Sequence, residues 1–399
     1  MAVKPVYAVG LDAGSHATRL VVCLLEDGRV RFLGCGFAPS QGWSKGRIVD
    51  QQAVADSIVM ALRQAEALAG ISVESAVVGM GGQTIRGANG RGVVELGHVR
   101  EIDQRDVNRV ASRASRVQLQ EDRMVLQLFP QDFAVDDQVG HHDPRKMIGS
   151  RLEIHVHLVT SSVQEHNSLI GAVNQAHLSV EETVFEGLAA CYAAVLPEDR
   201  RAGVAIVDIG ADSTELCVYH GESMQLASTV PVCGGHFTRD LAQGLRLSLE
   251  DAELVKREYG SAVSEDCGEN VLVEVPTPEN RDHRHVQRRF LNEILEARSR
   301  ELFQFVRAEL ARVGMDRSLL GGVFLTGAGA KLPDLCDVAE RILLCQARFG
   351  LAVGIQDWPE DLRDPEWSAA AGLAMYSAKL KEQAEQEREA AGWLGRMLR

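Results

Sequence analysis

The chain carries one long pattern twice. Near its start runs Val6-Tyr7-Ala8-Val9-Gly10-Leu11-Asp12-Ala13-Gly14-Ser15, then an apolar run from Leu20 to Leu25, a turn at Glu26-Asp27-Gly28 and a third run from Val30 to Leu33. Much later come Gly203-Val204-Ala205-Ile206-Val207-Asp208-Ile209-Gly210-Ala211-Asp212-Ser213, a run from Thr214 to Tyr219, a turn at His220-Gly221 and a run from Met224 to Val230. Each copy reads strand, Asp-x-Gly turn, strand, Gly turn, strand. Each then enters a helical segment. The first, Asp50 to Ala69, keeps Val54, Ile58, Ala61, Leu62, Ala65 and Leu68 on one face; the second spans Phe237 to Leu245. Each returns to a buried strand that ends in glycines, at Ser75 to Gly82 and at Gly322 to Lys331. A duplicated α/β unit leaves a cleft between its copies at the strand ends, where ligands usually bind.

Composition narrows the partners. The 399 residues exceed what one core organises, so two or more domains are expected. With 45% hydrophobic and 25% charged residues the chain is globular in composition. Its 42 basic residues against 56 acidic ones leave a net charge of −14, which argues against a nucleic-acid binder. Aromatics, at 5%, offer no stacking platform for single strands. The cysteines (23, 35, 191, 217, 233, 267, 336 and 345) form no C-x-x-C and read as free thiols in a reducing compartment. No run of about 20 apolar residues could span a bilayer. Met1 to Pro5 opens no secretory leader.

The Asp-x-Gly turns have a mechanical reading. Glycine lets the backbone approach a phosphate, and the turn N–H groups with the Ser15 hydroxyl can hold phosphate oxygens. The Asp carboxylates can hold Mg²⁺ through its waters. One such turn would be an ordinary hairpin; two in matching contexts would clamp a triphosphate from both sides. No G-x-x-x-x-G-K-[ST] or G-x-G-x-x-G motif occurs.

These residues resemble the ATPase superfamily of actin, the heat-shock chaperones and hexokinase, and within it the FtsA family of bacterial cell-division proteins. Gly10 to Ser15 is similar to the first phosphate motif, Asp208 to Glu215 to the second, and Leu325-Thr326-Gly327-Ala328-Gly329-Ala330-Lys331-Leu332 to the adenosine motif. Phe129 to Asp136 is similar to the P-Q-E-[FY] stretch of FtsA, and Val156-His157-Leu158-Val159-Thr160 follows at a similar spacing. The resemblance runs from Tyr7 to the C-terminus. It implies an α/β, actin-like ATPase fold: two duplicated halves around a nucleotide cleft, with an inserted 1C-type subdomain.

The resemblance also implies a site. ATP and Mg²⁺ would be held by Asp12, Gly14, Ser15 and His16 on one side. Asp208, Gly210, Ser213, Thr214, Gly234 and Gly235 would face them, and Gly327, Ala328, Gly329 and Lys331 would hold the adenosine. Asp12 and Asp208 would carry the metal, and Asp208 would share in catalysis. Glu253 and Lys256, three apart on one helix face, would line the ribose; on spacing alone they are an intrahelical ion pair. Glu186 opens a helix in Glu186-Gly187-Leu188-Ala189-Ala190, similar to the stretch whose Glu positions the attacking water in the bacterial actin MreB. It is equally a first-turn acid stabilised by the helix dipole.

The second loop departs from D-x-G-G-G-T. Ala211 and Asp212 replace two glycines. A carboxylate about 4 Å from a phosphate costs on the order of 4 kcal/mol at an effective dielectric of about 20. Asp212 must therefore point away, bind Mg²⁺ or weaken the nucleotide, and hydrolysis is expected to be weak at most.

Other clusters read blandly. His141-His142-Asp143 reads as a loop, Glu153, His155 and His157 as a solvated strand face, and Arg281 to Arg289 as a solvated loop and helix start. The expected map is 1–86 subdomain 1A, 87–160 the insert 1C, 161–200 the return to 1A, 201–240 subdomain 2A, 241–314 subdomain 2B, 315–364 the return to 2A, 365–378 a last helix of 1A, 379–391 a charged linker, and 392–399 a membrane-targeting helix. The insert should hold a helix from about Gln104 to Val117 and strands near Arg123 to Leu128 and Arg151 to Thr160.

In the tail, Trp393, Leu394, Met397 and Leu398 share one helical face, with Arg396 and Arg399 outside it. Eight residues make about 12 Å of helix, which suits an interface and not a span. The resemblance therefore implies an FtsZ-binding cell-division protein on the cytoplasmic face of the inner membrane at the division site. It would self-associate into filaments and meet later division proteins through the 1C-type insert. It would also lie on an anionic membrane and bind no nucleic acid. The alternatives are a PilM-like pilus-assembly homologue and a small-molecule kinase of the same fold.

Overall fold

Apolar runs on either side of each Asp-x-Gly turn become antiparallel strands, and the returning buried runs add to the same sheets in parallel. A computed structural model of the chain describes residues 5–397, apart from 117–118, 222, 266–267, 269–270 and 278–281, with side chains as far as residue 386.

Lobe 1 starts with the meander β1 (Val6–Ala13), β2 (Ala17–Glu26) and β3 (Arg29–Pro39). A short hairpin follows, β4 (Trp43–Ser44) and β5 (Arg47–Ile48). Helix α1 (Gln51–Ala69) begins where the Asp50 carboxylate accepts the Gln52 and Ala53 N–H groups and ends at left-handed Gly70. Strand β6 (Ser75–Met80) then pairs in parallel with β1.

The insert is built from β7 (Arg86–Glu101), α2 (Gln104–Ala114), β8 (Arg123–Val135), β9 (Gln138–His141) and β10 (Ile148–Ser162), in sheet order β7-β10-β8-β9. Lobe 1 resumes with α3 (Val163–Gln175), β11 (Ser179–Phe185), α4 (Glu186–Ala194) and α5 (Pro197–Ala202).

Lobe 2 repeats the plan with β12 (Val204–Ile209), β13 (Thr214–His220) and β14 (Ser223–Val230). Then come α6 (Gly234–Leu245), α7 (Leu249–Tyr259), β15 (Leu272–Pro276), β16 (His283–Gln287), α8 (Arg288–Arg312), β17 (Gly322–Thr326), α9 (Leu335–Leu343) and β18 (Ala347–Phe349). Strand β19 (Ile355–Gln356) rejoins the lobe 1 sheet, and α10 (Ser368–Met397) closes the described chain. The lobe sheets read β11-β6-β1-β2-β3-β19 and β14-β13-β12-β17-β18, so β3-β2-β1-β6-β11 has its counterpart in β14-β13-β12-β17-β18. That match is the sequence duplication expressed as topology.

Helix α10 packs on β1 and α4 with almost no space between backbones. A Cβ at Gly10 would meet the α10 backbone at Ala370 and Ala374, and one at Gly372 would meet the α4 backbone at Ala189. One core runs from Leu11, Ile58 and Phe185 of lobe 1 to Ile206 and Phe324 of lobe 2. A second, around Leu291, Leu302 and Phe303, belongs to lobe 2, and a third, around Ile102, Leu152 and Ile154, to the insert. The seven described cysteines are free; Cys267 is outside the described residues. No described helix is long and apolar enough to cross a membrane.

Several details differ from the sequence reading. The insert opens with the sixteen-residue β7, and its helix ends at Ala114; Val117 lies outside the described residues. The Glu153–His157 stretch is not a solvated face. Glu153 is buried beneath Arg91 and Arg151, and His157 is 3% exposed. His157 Nδ1 bonds Asn89 Oδ1 (2.8 Å), and its Nε2 accepts the N–H of Ala227 in lobe 2 (3.0 Å). The insert thus covers β14, an open sheet edge, which sequence periodicity could not show. Residues 283–287 form β16 and not a loop; Arg281 is outside the described residues. The expected linker continues α10, and its first residues still pack: Lys381 Nζ donates to Tyr7 O (2.6 Å) and Glu181 Oε1 (2.8 Å). Residues 392–397 extend the same helical backbone, while the side chains of Trp393, Leu394, Arg396 and Met397, and all of Leu398 and Arg399, lie outside the described residues.

Candidate functional site

Both Asp-x-Gly turns open onto one cavity of about 830 Å³ between the lobes. Asp12 stands at the end of β1 and Asp208 at the end of β12, each placed by a buried strand that stops at the cleft. Gly14, Ser15, His16 and Glu186 line the lobe 1 wall. Gly210, Ser213, Gly234, Gly235, Glu253 and Lys256 line the lobe 2 wall, and Gly327, Ala328, Gly329 and Lys331 its upper edge. The fold therefore gathers every sequence-selected cleft residue except Thr214. That residue is fully buried in β13 and its hydroxyl has no partner.

The glycines have separate reasons. Gly327 sits at φ 80°, and a Cβ there would strike the Asp208 carboxylate and the Ile209 carbonyl. Gly234 and Gly235 admit the phosphate loop itself: their N–H groups donate to Gly210 O and Ala211 O, each at 2.8 Å. The close approach expected of a ligand is here made by the second loop.

Electrostatically the floor is acidic. Burial pushes the Asp12 carboxyl up to about 6, with Arg19 holding it down. Burial and then the Asp12 charge push Asp208 up to about 7. Burial and Asp208 push Glu215 up to about 8. Burial, Glu215, Asp12 and Asp208 together raise Glu186 well above the ordinary carboxylate range. These acids repel one another and share little positive charge, so they call for a cation. An all-oxygen set suits a hard ion that keeps its waters. Among the described residues no three such groups converge closely enough to ligate a metal directly. A hydrated Mg²⁺ fits that arrangement. Above the floor, Lys256, Arg257, Arg239 and Lys331 supply the positive charge that a polyphosphate needs.

Glu253 and Lys256 pair at 2.6 Å and share Thr238, whose hydroxyl donates to Glu253 at 2.5 Å. The ion pair seen in the spacing and the cavity wall are thus one structure. Arg257 reaches across the mouth to His16 Nε2 (3.3 Å).

Two further residues escaped sequence reading. Arg19, paired in register with Asp12, is buried on the cavity wall; it holds Glu366 at 2.6 Å between the rings of Phe37 and Trp367, and its Nε is unpartnered. Glu215 accepts the Gly82 N–H of lobe 1 at 2.7 Å, while its second oxygen is buried without a partner. Arg19 was legible only as an apolar strand's odd charge. Glu215 closed the quoted second motif but was given no role.

Asp212 lies on the cavity wall with its carboxylate held by the other lobe. Its Oδ2 accepts the Gly46 N–H (3.1 Å), and its carbonyl accepts Gln83 Nε2 (2.9 Å). One carboxylate oxygen is thus engaged by an N–H of lobe 1.

Duplicated lobes, a shared cleft and paired acidic turns define an actin-like α/β protein. Solved structures of that fold superpose over nearly the whole chain. The PilM–PilN type IV pilus biogenesis complex matches with a TM-score of 0.67 at 19% identity, covering 93% of this chain and 98% of the other. An MreB of Spiroplasma citri bound to ADP matches with a TM-score of 0.58 at 12% identity, covering 95% and 98%. A model described as cell division protein FtsA matches residues 205–372, and one described as the SHS2 domain inserted in FtsA matches 82–160. Cell division protein FtsA of Pseudomonas aeruginosa is 33% identical over 92% of this chain and 88% of its own. That of Escherichia coli is 31% identical over 97% and 94%, and that of Bacillus subtilis 32% over 93% and 83%. The chain belongs to the FtsA family of cell-division proteins, and the insert is its SHS2 domain.

Proposed function

We propose that the chain binds ATP with Mg²⁺ in the cleft, polymerises on the inner face of the cytoplasmic membrane and anchors the FtsZ ring there. The observation that carries the nucleotide reading is the single cavity onto which both Asp-x-Gly turns and the 327–331 loop open. Asp12 and Asp208 would hold the hydrated ion, whose charge offsets both the phosphates and the acids. Ser15, Ser213 and the loop N–H groups would orient the phosphates, and Glu253 with Lys256 would take the ribose.

Hydrolysis would be slow. Burial and the surrounding carboxylates favour the protonated form of Glu186, and a group that holds its proton tightly is a poor acceptor for one from water. The tail would lie in the membrane interface, and the SHS2 domain would meet neighbouring subunits and later division proteins. The PilM-like and kinase alternatives lose support to the family membership and the SHS2 insert.

Purified protein with ATP, Mg²⁺ and anionic vesicles, inspected by electron microscopy, should show membrane-bound filaments. Calorimetry should show Asp12→Ala and Asp208→Ala binding ATP at least tenfold more weakly, about 1.4 kcal/mol. Wild-type affinity in both variants rejects the two-turn clamp.

A further inference from the structure

The residue that departs from the glycine loop makes a contact between the lobes. Gly46 and Lys45 occupy the turn of the β4–β5 hairpin at φ 73° and 51°, the geometry of a primed two-residue turn. That turn aims the Gly46 N–H out of lobe 1, where the Asp212 carboxylate of lobe 2 accepts it at 3.1 Å. A Cβ on Gly46 would lie 3.2 Å from the Asp212 Cβ, so the two loops are in near contact. A glycine at position 212 has no side-chain oxygen with which to accept that proton. Two more bonds follow the same seam: Gln83 Nε2 to Asp212 O at 2.9 Å, and Gly82 N–H to Glu215 Oε1 at 2.7 Å.

Behind the seam lies a second, smaller chamber of about 70 Å³, walled by Trp43, Gly46, Gly82, Glu186, Asp212 and Ser213. Glu186 lines this chamber as well as the main cavity. The chamber has room for water beside three acids, Glu165, Glu186 and Asp212.

We propose that Asp212 is a positioning residue: by accepting the Gly46 amide proton it clamps the second loop of lobe 2 to the hairpin of lobe 1, and so closes the far end of the cleft over the chamber beside Glu186. The clamp is made by protein atoms alone, so it holds without nucleotide. Only its effect on nucleotide release rests on the ATP reading. Opening the cleft must break this bond, and the clamp therefore slows both opening and exchange.

Amide hydrogen exchange on the nucleotide-free full chain tests the clamp directly. Asp212→Gly should speed exchange at Gly46 at least about tenfold, the effect of losing a hydrogen bond to a charged group. Val323, whose N–H donates to Gln346 O within lobe 2 at 2.8 Å, should exchange at the wild-type rate. Asp212→Asn keeps an acceptor oxygen and should restore protection at Gly46. Asp212→Ser, too short to reach Gly46, repeats the loss if the glycine variant does not fold. Unchanged exchange at Gly46 in the glycine and serine variants overturns the clamp, as does an asparagine variant that exchanges as fast as they do. A fluorescent ATP analogue should also leave Asp212→Gly faster than it leaves wild type. If the analogue fails to bind wild type at all, the nucleotide reading falls while the exchange result still decides the clamp.

Discussion

At the residue scale the decisive groups are the buried acids. Asp12, Asp208 and Glu215 all bind a proton more tightly in the folded chain than in the unfolded one. Their contribution to stability is full below about pH 4 and is lost as pH rises through about 6, 7 and 8. Asp208→Asn removes one of these charges while keeping the shape. In nucleotide-free protein its advantage over wild type should grow by about 4 kcal/mol between pH 4 and pH 8.5. Urea titrations at the two pH values measure it; a gap independent of pH would mean that Asp208 is not strained by its charge. His157 has the opposite sign. Burial first, and the Arg312 charge second, push it down to about 4, so the stability it brings is present above its unfolded value of 6.5 and is lost as pH falls through about 4.

At the element scale two segments have tasks beyond packing. Strand β14 ends the lobe 2 sheet, and the SHS2 insert caps it through His157 to Ala227, Arg86 to Thr229 (2.9 Å) and Gln131 to the Met224 carbonyl (3.3 Å). Truncating the imidazole orphans a buried N–H, at a cost of about 1–3 kcal/mol. His157→Ala should lower the urea midpoint accordingly and expose Ala227 to exchange. Full protection of that amide in the variant contradicts the capping role. The tail is the other segment. A short interfacial helix binds weakly by itself, and a polymer supplies many at once. Removing residues 392–399, or changing Trp393 to Glu, should release the protein from anionic vesicles in a co-sedimentation assay and leave ATP binding intact. Sedimentation of the truncated chain with vesicles would rule out the tail as the tether.

At the scale of the whole molecule, ligand and lobes are linked through charge. In the proposed complex a cation would neutralise the acidic floor and let both walls close on one ligand. Mg²⁺ and ATP together should raise the melting temperature, by RT ln(1 + [L]/Kd) in free energy, about 2.7 kcal/mol at a hundredfold excess over Kd. ATP in EDTA should do far less, since phosphates would then meet the Asp12, Asp208 and Glu186 carboxyls with no ion between them. Equal shifts with and without EDTA would remove the ion from the site. The three seams between the lobes (Arg257 to His16, Asp212 to Gly46, His157 to Ala227) predict that opening is a hinged motion of two stiff bodies.

The duplicated lobes and half of the residues lining the cavity were present in the linear pattern. A buried strand ending in Asp-x-Gly places its own Asp, and local geometry needs no distant partner to do so. Helix α1 was legible for the same reason, from its apolar stripe, of which only Leu68 proves exposed. What the sequence left open depends on residues far apart in the chain. Period-two alternation made Glu153 and His157 look solvated, because nothing local records that Arg91 covers the one and β14 accepts the other. Thr214 carried the motif's hydroxyl, yet the pleat of β13 turned it into the core. Arg19 became part of the site only when β2 paired with β1 beside Asp12. Asp212 is the clearest case. Electrostatics next to a polyanion left it three outcomes, and only the meeting of the two lobes supplied the Gly46 N–H that its carboxylate accepts.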